Sequence, residues 1–187
     1  MKSNVNKMVK LAMLSALSVI FMVLIKFPLI PSAPFLIYEP GDIPALVAAF
    51  IFGPVSGFIV IVIVSLIQWL FFDTNGWVGA MMHIIASGSM VIVAGLIYKR
   101  MHNFKGAMFA LLAGTITMTV VMIPLNLLVT PIFFGVPVKA VVAMLVPAII
   151  PFNLLKAGIN SVITAVVYKS VSKALKVEPL SVAKEIE

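Results

Sequence analysis

Asn153, Lys156 and Asn160 carry the most conspicuous polar chemistry of the chain. Their spacing of i, i+3, i+7 sets all three on one face of a helix, and Thr164 extends the stripe. Asparagine presents a donor and an acceptor side by side, and a lysine ammonium presents donors alone. A face of that kind can hold a small polar molecule by its hydrogen-bonding edge. Asn126 lies in a neighbouring apolar run, and Gln68 and His83 near the ends of two others. The competing reading is structural: such groups glue helices together or satisfy carbonyls freed by Pro124 and Pro151. That reading suits Lys156 least, because a buried ammonium needs an acceptor of its own. A lone histidine near an interface is more often a satisfied polar contact than a ligand.

These residues stand out because so little around them is polar. Of 187 residues, 63% are hydrophobic and 10% charged, against about 25% charged in an ordinary soluble domain. Soluble, disordered, collagen-like and disulfide-framework classes are excluded. The chain holds no cysteine, so thiolate metal sites and cysteine nucleophiles are excluded too. The net charge of +7 is explained by positive loops on the inner side of a membrane, without nucleic acid. The expected class is a single-domain (1–187), all-α, polytopic protein of the cell membrane.

A spanning helix needs about 20 apolar residues. The apolar runs predict spans at 8–26, 42–53, 55–72, 79–98, 106–134 and 151–171. The first is longer than the core of a signal peptide and lacks an A-x-A cleavage site. Pro28, Pro31, Pro34 and Pro40 make the following stretch an irregular loop. Asp42 reads as an N-cap with Pro44 in the first turn. The second run is short, and Gly53-Pro54 ends it. Asp73-Thr74-Asn75-Gly76 reads as a turn. A short apolar stretch, 138–146, belongs to the connection before the last span.

Ten of the thirteen Lys and Arg residues fall on one side: Lys2, Lys7, Lys10, Lys99, Arg100, Lys105, Lys169, Lys173, Lys176 and Lys184. That side is the cytoplasm, so both termini are expected there. At about 1.5 Å of rise per residue, Asn126 falls roughly 12 Å below the outer surface. Asn153, Lys156 and Asn160 fall roughly 3, 8 and 14 Å below it. The polar groups therefore gather in the outer half. In the inner half, Ala12 and Ala16 form one small-xxx-small pair and Gly53 and Gly57 another, which serve close helix packing or docking of a second membrane protein.

Several engines are missing. There is no phosphate-binding G-x-x-x-x-G-K-[ST], no H-E-x-x-H, no paired intramembrane carboxylates and no inverted repeat. Two isolated histidines make no metal site. The chain reads as a binder without catalytic machinery.

Tyr38-Glu39-Pro40-Gly41-Asp42-Ile43-Pro44-Ala45-Leu46, followed by Phe52-Gly53-Pro54, resembles the D-I-P-A-L…F-G-P segment of S components. These are the substrate-binding membrane subunits of energy-coupling factor (ECF) vitamin transporters. Ala12-Met13-Leu14-Ser15-Ala16 is similar to the Ala-xxx-Ala motif of their first helix, and Pro151-Phe152-Asn153-Leu154-Leu155-Lys156 to the start of the sixth helix in riboflavin-specific members. The resemblance covers nearly the whole chain. It implies capture of riboflavin from outside under a lid formed by the first loop, with riboflavin as cargo and no resident cofactor or metal. It also implies a transmembrane T component docked on Ala12 and Ala16, and two ATPase subunits. The implied ligand contacts are Asn126, Asn153, Lys156 and Asn160, with Glu39 on the lid and Glu39 or Asp42 as counter-charge to Lys156. The rival readings are an S component for thiamine, pantothenate or a lipoyl-type substrate, and an autonomous ion-coupled carrier.

Overall fold

A computed structural model describes residues 2–72 and 76–175, with side chains from residue 5 onward. Asp73, Thr74 and Asn75 of the expected turn lie outside the described residues, as do Lys176, Lys184 and the side chain of Lys2.

The described chain is helical apart from one proline-rich loop and short turns. Helix α1 runs Lys2–Leu24, α2 Asp42–Phe52, α3 Pro54–Phe71, α4 Gly76–Arg100 and α5 Phe104–Phe134. Then α6, Val138–Met144, passes through a π-helical turn, Leu145–Ile149, into α7, Ile150–Ala174. Five stretches are long and apolar enough to cross a membrane: α1, α3, α4, α5, and the continuous path from α6 through α7. The stretch 138–146, expected as a connection, is thus the first part of the last long helix. Pro147 lies in the π turn and Pro151 in the first turn of α7, where its missing N–H does no harm.

Helix α2 has 11 residues, about 16 Å of rise. It is too short to span alone, and every residue from Asp42 to Ile51 is buried. It sits among α1, α3, α4 and α7. Asp42 does not cap it. Gly41 occupies the N-cap position with no side-chain bond, and Asp42 is the first helical residue. The expected capping role is corrected: the carboxylate turns instead toward other helices. At the other end of α2, Phe50 stacks on Tyr98 with ring centroids 4.2 Å apart and meets Tyr168 edge-on at 5.5 Å. That cluster ties α2 to α4 and α7.

Gly53, with φ 96°, makes the sharp link from α2 to α3. Gly57 serves packing within the chain. A Cβ there would lie 2.6 Å from both the Ala45 carbonyl oxygen and Val91 Cγ1, so α2, α3 and α4 approach closely only at a glycine. Ala12 and Ala16 are different. Both are exposed, to one side of the buried stripe of Leu11, Leu14, Ser15 and Ser18 on α1.

Residues between α1 and α2 form a small hairpin. Strand β1, Phe27–Pro28, pairs antiparallel with β2, Ile37–Tyr38. The prolines keep this segment out of a helix, and the hairpin folds back over the end of the bundle.

Candidate functional site

Beneath that hairpin lies a cavity of about 690 Å³, within the range of small-molecule pockets. Phe35, Leu36, Ile37 and Glu39 of the hairpin line it, facing residues of α3, α4, α5, the π turn and α7. Its apolar walls carry Phe72, Phe134 and Phe152 and four methionines, Met82, Met118, Met122 and Met144. Aromatic rings and flexible thioethers suit a flat, polarisable guest. Its polar groups are Lys26, Glu39, Gln68, His83, Ser87, Asn126, Thr130, Asn153 and Lys156.

The hairpin's Glu39 is the hub of one polar group. Its carboxylate accepts from Gln68 Nε2 at 2.9 Å. Lys156 Nζ approaches Oε1 at 3.9 Å and Lys26 Nζ approaches Oε2 at 4.0 Å. Lys156 therefore has a counter-charge beside it, and of the two carboxylates considered it is Glu39 that lies in ion-pair range.

Asn126 and Asn153 face the cavity from α5 and α7. Each donates to the carbonyl four residues earlier in its own helix: Asn126 Nδ2 to Met122 O and Asn153 Nδ2 to Ile149 O, both at 2.8 Å. Those bonds turn the amide oxygens elsewhere. Asn126 Oδ1 accepts from Thr130 Oγ1 at 3.4 Å. Asn153 Oδ1 is buried with no hydrogen-bond partner. That oxygen is closed to solvent, so a donor from a guest reaches it only once the amide turns toward the cavity.

Asn160 takes a different place from its stripe-mates. It does not line the cavity, and it is fully buried. Its Oδ1 accepts from Tyr38 OH at 2.9 Å, and its Nδ2 donates to Asp42 Oδ2 at 3.4 Å. Asp42 is the centre of a second polar group. His83 Nε2 lies 2.8 Å from Oδ1, and Ser87 Oγ donates to Oδ2 at 3.1 Å. His83 Nδ1 lies 2.8 Å from Ser65 Oγ. His83 is thus held at both nitrogens while also facing the cavity. Five elements (the hairpin, α2, α3, α4 and α7) meet through this chain of side chains.

Tyr38, Ser65, Ser87 and Lys26 were not singled out by the sequence reading. Two of them had a signal. Ser65 stands three residues before Gln68 and Ser87 four after His83, so each pair shares a helix face. Tyr38 had none, because nothing in the chain near residue 38 announces a partner at residue 160. Burial, and secondarily the charge of Asp42, pushes the Tyr38 hydroxyl up to about 12. Among the described residues no cluster of His, Asp and Glu is arranged to hold a metal.

Comparison with known proteins sharpens what such a cavity is for. Residues 6–168 match the family model "ECF transporter, substrate-specific component". The chain is 33% identical over 183 residues to the Riboflavin transporter RibU of Staphylococcus aureus (strain TCH60), covering 94% of this chain and 96% of that one. It is 29% identical over 174 residues to the Riboflavin transporter FmnP of Bacillus subtilis (strain 168), covering 88% and 91%. Among solved structures, one described as the S component of a bacterial ECF transporter superposes with a TM-score of 0.77 at 32% identity, covering 91% of this chain and 97% of that one. With several helices long enough to span, the chain is a multi-pass protein of the cell membrane, and it is a transport component, not an enzyme. It belongs to the family of substrate-specific components of ECF transporters.

Proposed function

We propose that the cavity binds riboflavin, captured from the outer side of the membrane. The observation that carries this reading is the pairing of an aromatic and methionine-rich wall with Asn126, Asn153 and Lys156 in one cavity under a hairpin. A flavin is a flat, largely apolar ring system with a uracil-like edge and a hydroxylated ribityl chain. Phe and Met side chains take the ring. The asparagines, each a donor and an acceptor, suit the uracil-like edge once their amides turn into the cavity. Lys156 donates to a ring carbonyl or ribityl oxygen while Glu39 balances its charge from the lid. Asn160 serves the site from behind the wall. The names of the relatives support the choice of vitamin.

In this reading the chain is one domain with six spans, α2 being the short second one, and both termini lie in the cytoplasm. The described basic residues Lys7, Lys10, Lys99, Arg100, Lys105, Lys169 and Lys173 favour that orientation. The exposed Ala12 and Ala16 offer a close-packing face to a T component, and two ATPase subunits supply the energy that this chain lacks. Riboflavin is cargo, and no resident cofactor or metal takes part.

An absorbance spectrum of the purified protein tests the reading. Flavin bands, or quenching of riboflavin fluorescence on titration, are the expected result. Binding of thiamine or pantothenate without riboflavin would overturn the choice of vitamin, and uptake by liposomes holding this chain alone would overturn the dependence on partners.

A further inference from the structure

The hairpin meets α7 at two successive positions of one helix face. Glu39 approaches Lys156, and Tyr38 donates to Asn160, one turn further in. Strand geometry explains how neighbours do both. Side chains alternate across the pair Ile37–Tyr38, so Ile37 lines the cavity while Tyr38 points the other way, into the bundle, and Glu39, just past the strand, lines the cavity again. Tyr38 is buried there against Phe27, with ring centroids 5.2 Å apart.

Asn160 is held in one orientation by its other neighbour. A carboxylate only accepts hydrogen bonds, so Asp42 Oδ2 takes the amide NH2 and leaves Oδ1 for the Tyr38 hydroxyl. Asp42 is itself fixed by His83 and Ser87. Lifting the hairpin must break the Tyr38–Asn160 bond and leave the buried Asn160 amide oxygen without that partner.

We propose that Tyr38, Asn160 and Asp42 form a latch that positions the hairpin over the cavity. Asp42 aims Asn160, Asn160 holds Tyr38, and Tyr38 keeps Ile37 and Glu39 facing the guest. Asn160 is then a positioning residue that sets how long a guest stays, without touching it. The inference rests on the reading of the cavity as a flavin site only for its kinetic arm.

The test uses Tyr38→Phe, which keeps the ring and removes the hydroxyl, with Asn160→Ala and the double variant. In ligand-free protein, hydrogen exchange of the amides at 35–39 is expected to quicken in Tyr38→Phe. In stopped-flow riboflavin quenching, Tyr38→Phe is expected to raise the dissociation rate about 2–10-fold, the effect of one hydrogen bond, with association changed less than about twofold. The double variant is expected to dissociate no faster than the faster single variant. Unchanged exchange and dissociation in Tyr38→Phe, or a loss carried by association, would overturn the latch. Additive effects in the double variant would overturn it too, since Asn160 would then act on the guest itself. Wild-type protein that binds no riboflavin would defeat the flavin reading, and the exchange of residues 35–39 would still decide the latch.

Discussion

Lys156 Nζ stands 3.9 Å from one oxygen of the Glu39 carboxylate, while Lys26 Nζ stands 4.0 Å from the other. The two lysines are not equivalent. The Lys156 side chain is 9% exposed and that of Lys26 36%. Two ammonium groups share one carboxylate at the cavity wall, which leaves donors for electron-rich oxygens of a guest.

Lys156→Ala is expected to weaken riboflavin binding about 10–150-fold, from about 1.5–3 kcal/mol for a hydrogen bond to a charged group. Lys26→Ala removes a pair screened by solvent, and a change within about fivefold is expected. Fluorescence quenching titrations of both variants make the comparison. Equal losses would mean that burial does not distinguish the two lysines.

Asn126→Ala and Asn153→Ala separate binding from stability. Among the described residues Asn153 Oδ1 has no partner, so Asn153→Ala breaks only the bond from Nδ2 to the Ile149 carbonyl at 2.8 Å. The ligand-free melting midpoint of Asn153→Ala is expected to move by less than about 3 °C, the equivalent of about 1 kcal/mol in a chain of this size. Riboflavin affinity is expected to fall about 2–10-fold for each lost hydrogen bond. A collapse in stability with affinity intact would make Asn153 a structural residue.

His83→Leu addresses the second polar group. It strips Asp42 Oδ1 of the partner at 2.8 Å and leaves a buried carboxylate held on one side only. Removing a hydrogen-bond partner from a buried charged group costs about 1–3 kcal/mol or more. A marked drop in the melting midpoint is expected, and Asp42→Asn in the same background should recover part of it by removing the charge. No recovery would show that the loss came from packing.

Tyr38 makes a prediction at alkaline pH. Its folded-state value, about 12, exceeds the ordinary 10.0 because burial and then the Asp42 charge disfavour the phenolate. The protonated hydroxyl is the form the fold favours. Its contribution is complete below pH 10 and is lost as pH rises through about 12. Tyrosinate absorbance, taken as the difference between wild type and Tyr38→Phe, should show no titration of this residue below pH 10.

Ala12→Trp with Ala16→Trp is expected to abolish co-purification with a T component and leave riboflavin affinity within about twofold. Both positions are exposed on α1, so a large side chain there projects away from the core of the described residues. Retained co-purification would move the docking face elsewhere.

The long helices were legible because 20-residue apolar runs have few alternatives. So was the break in helix across Pro28, Pro31, Pro34 and Pro40, since proline acts locally. Asp42 misled for the same reason. Its sequence neighbours say cap, and its real partners are His83, Ser87 and Asn160, up to 118 residues away. Asn160 shares a face with Asn153 and Lys156, as its spacing requires. That face runs from the cavity to the core, and only the position of α2 and the hairpin decides where the cavity stops. The joining of α6 to α7 was hidden by Pro147 and Pro151, which punctuate a sequence more sharply than they interrupt this helix.

Helix α2, buried from Asp42 to Ile51, also bears on how the protein is made. It leaves the ribosome before α3, α4 and α7 exist, so of the helices that pack on it only α1 is already made. At that stage Asp42 lacks His83 and Asn160, Glu39 lacks Lys156, and Tyr38 lacks its acceptor. Each of these is supplied by a later helix, two of them by the last. Assembly of the cavity and its polar groups is therefore a terminal event of biogenesis, complete only once the last helix brings Lys156 and Asn160 into place.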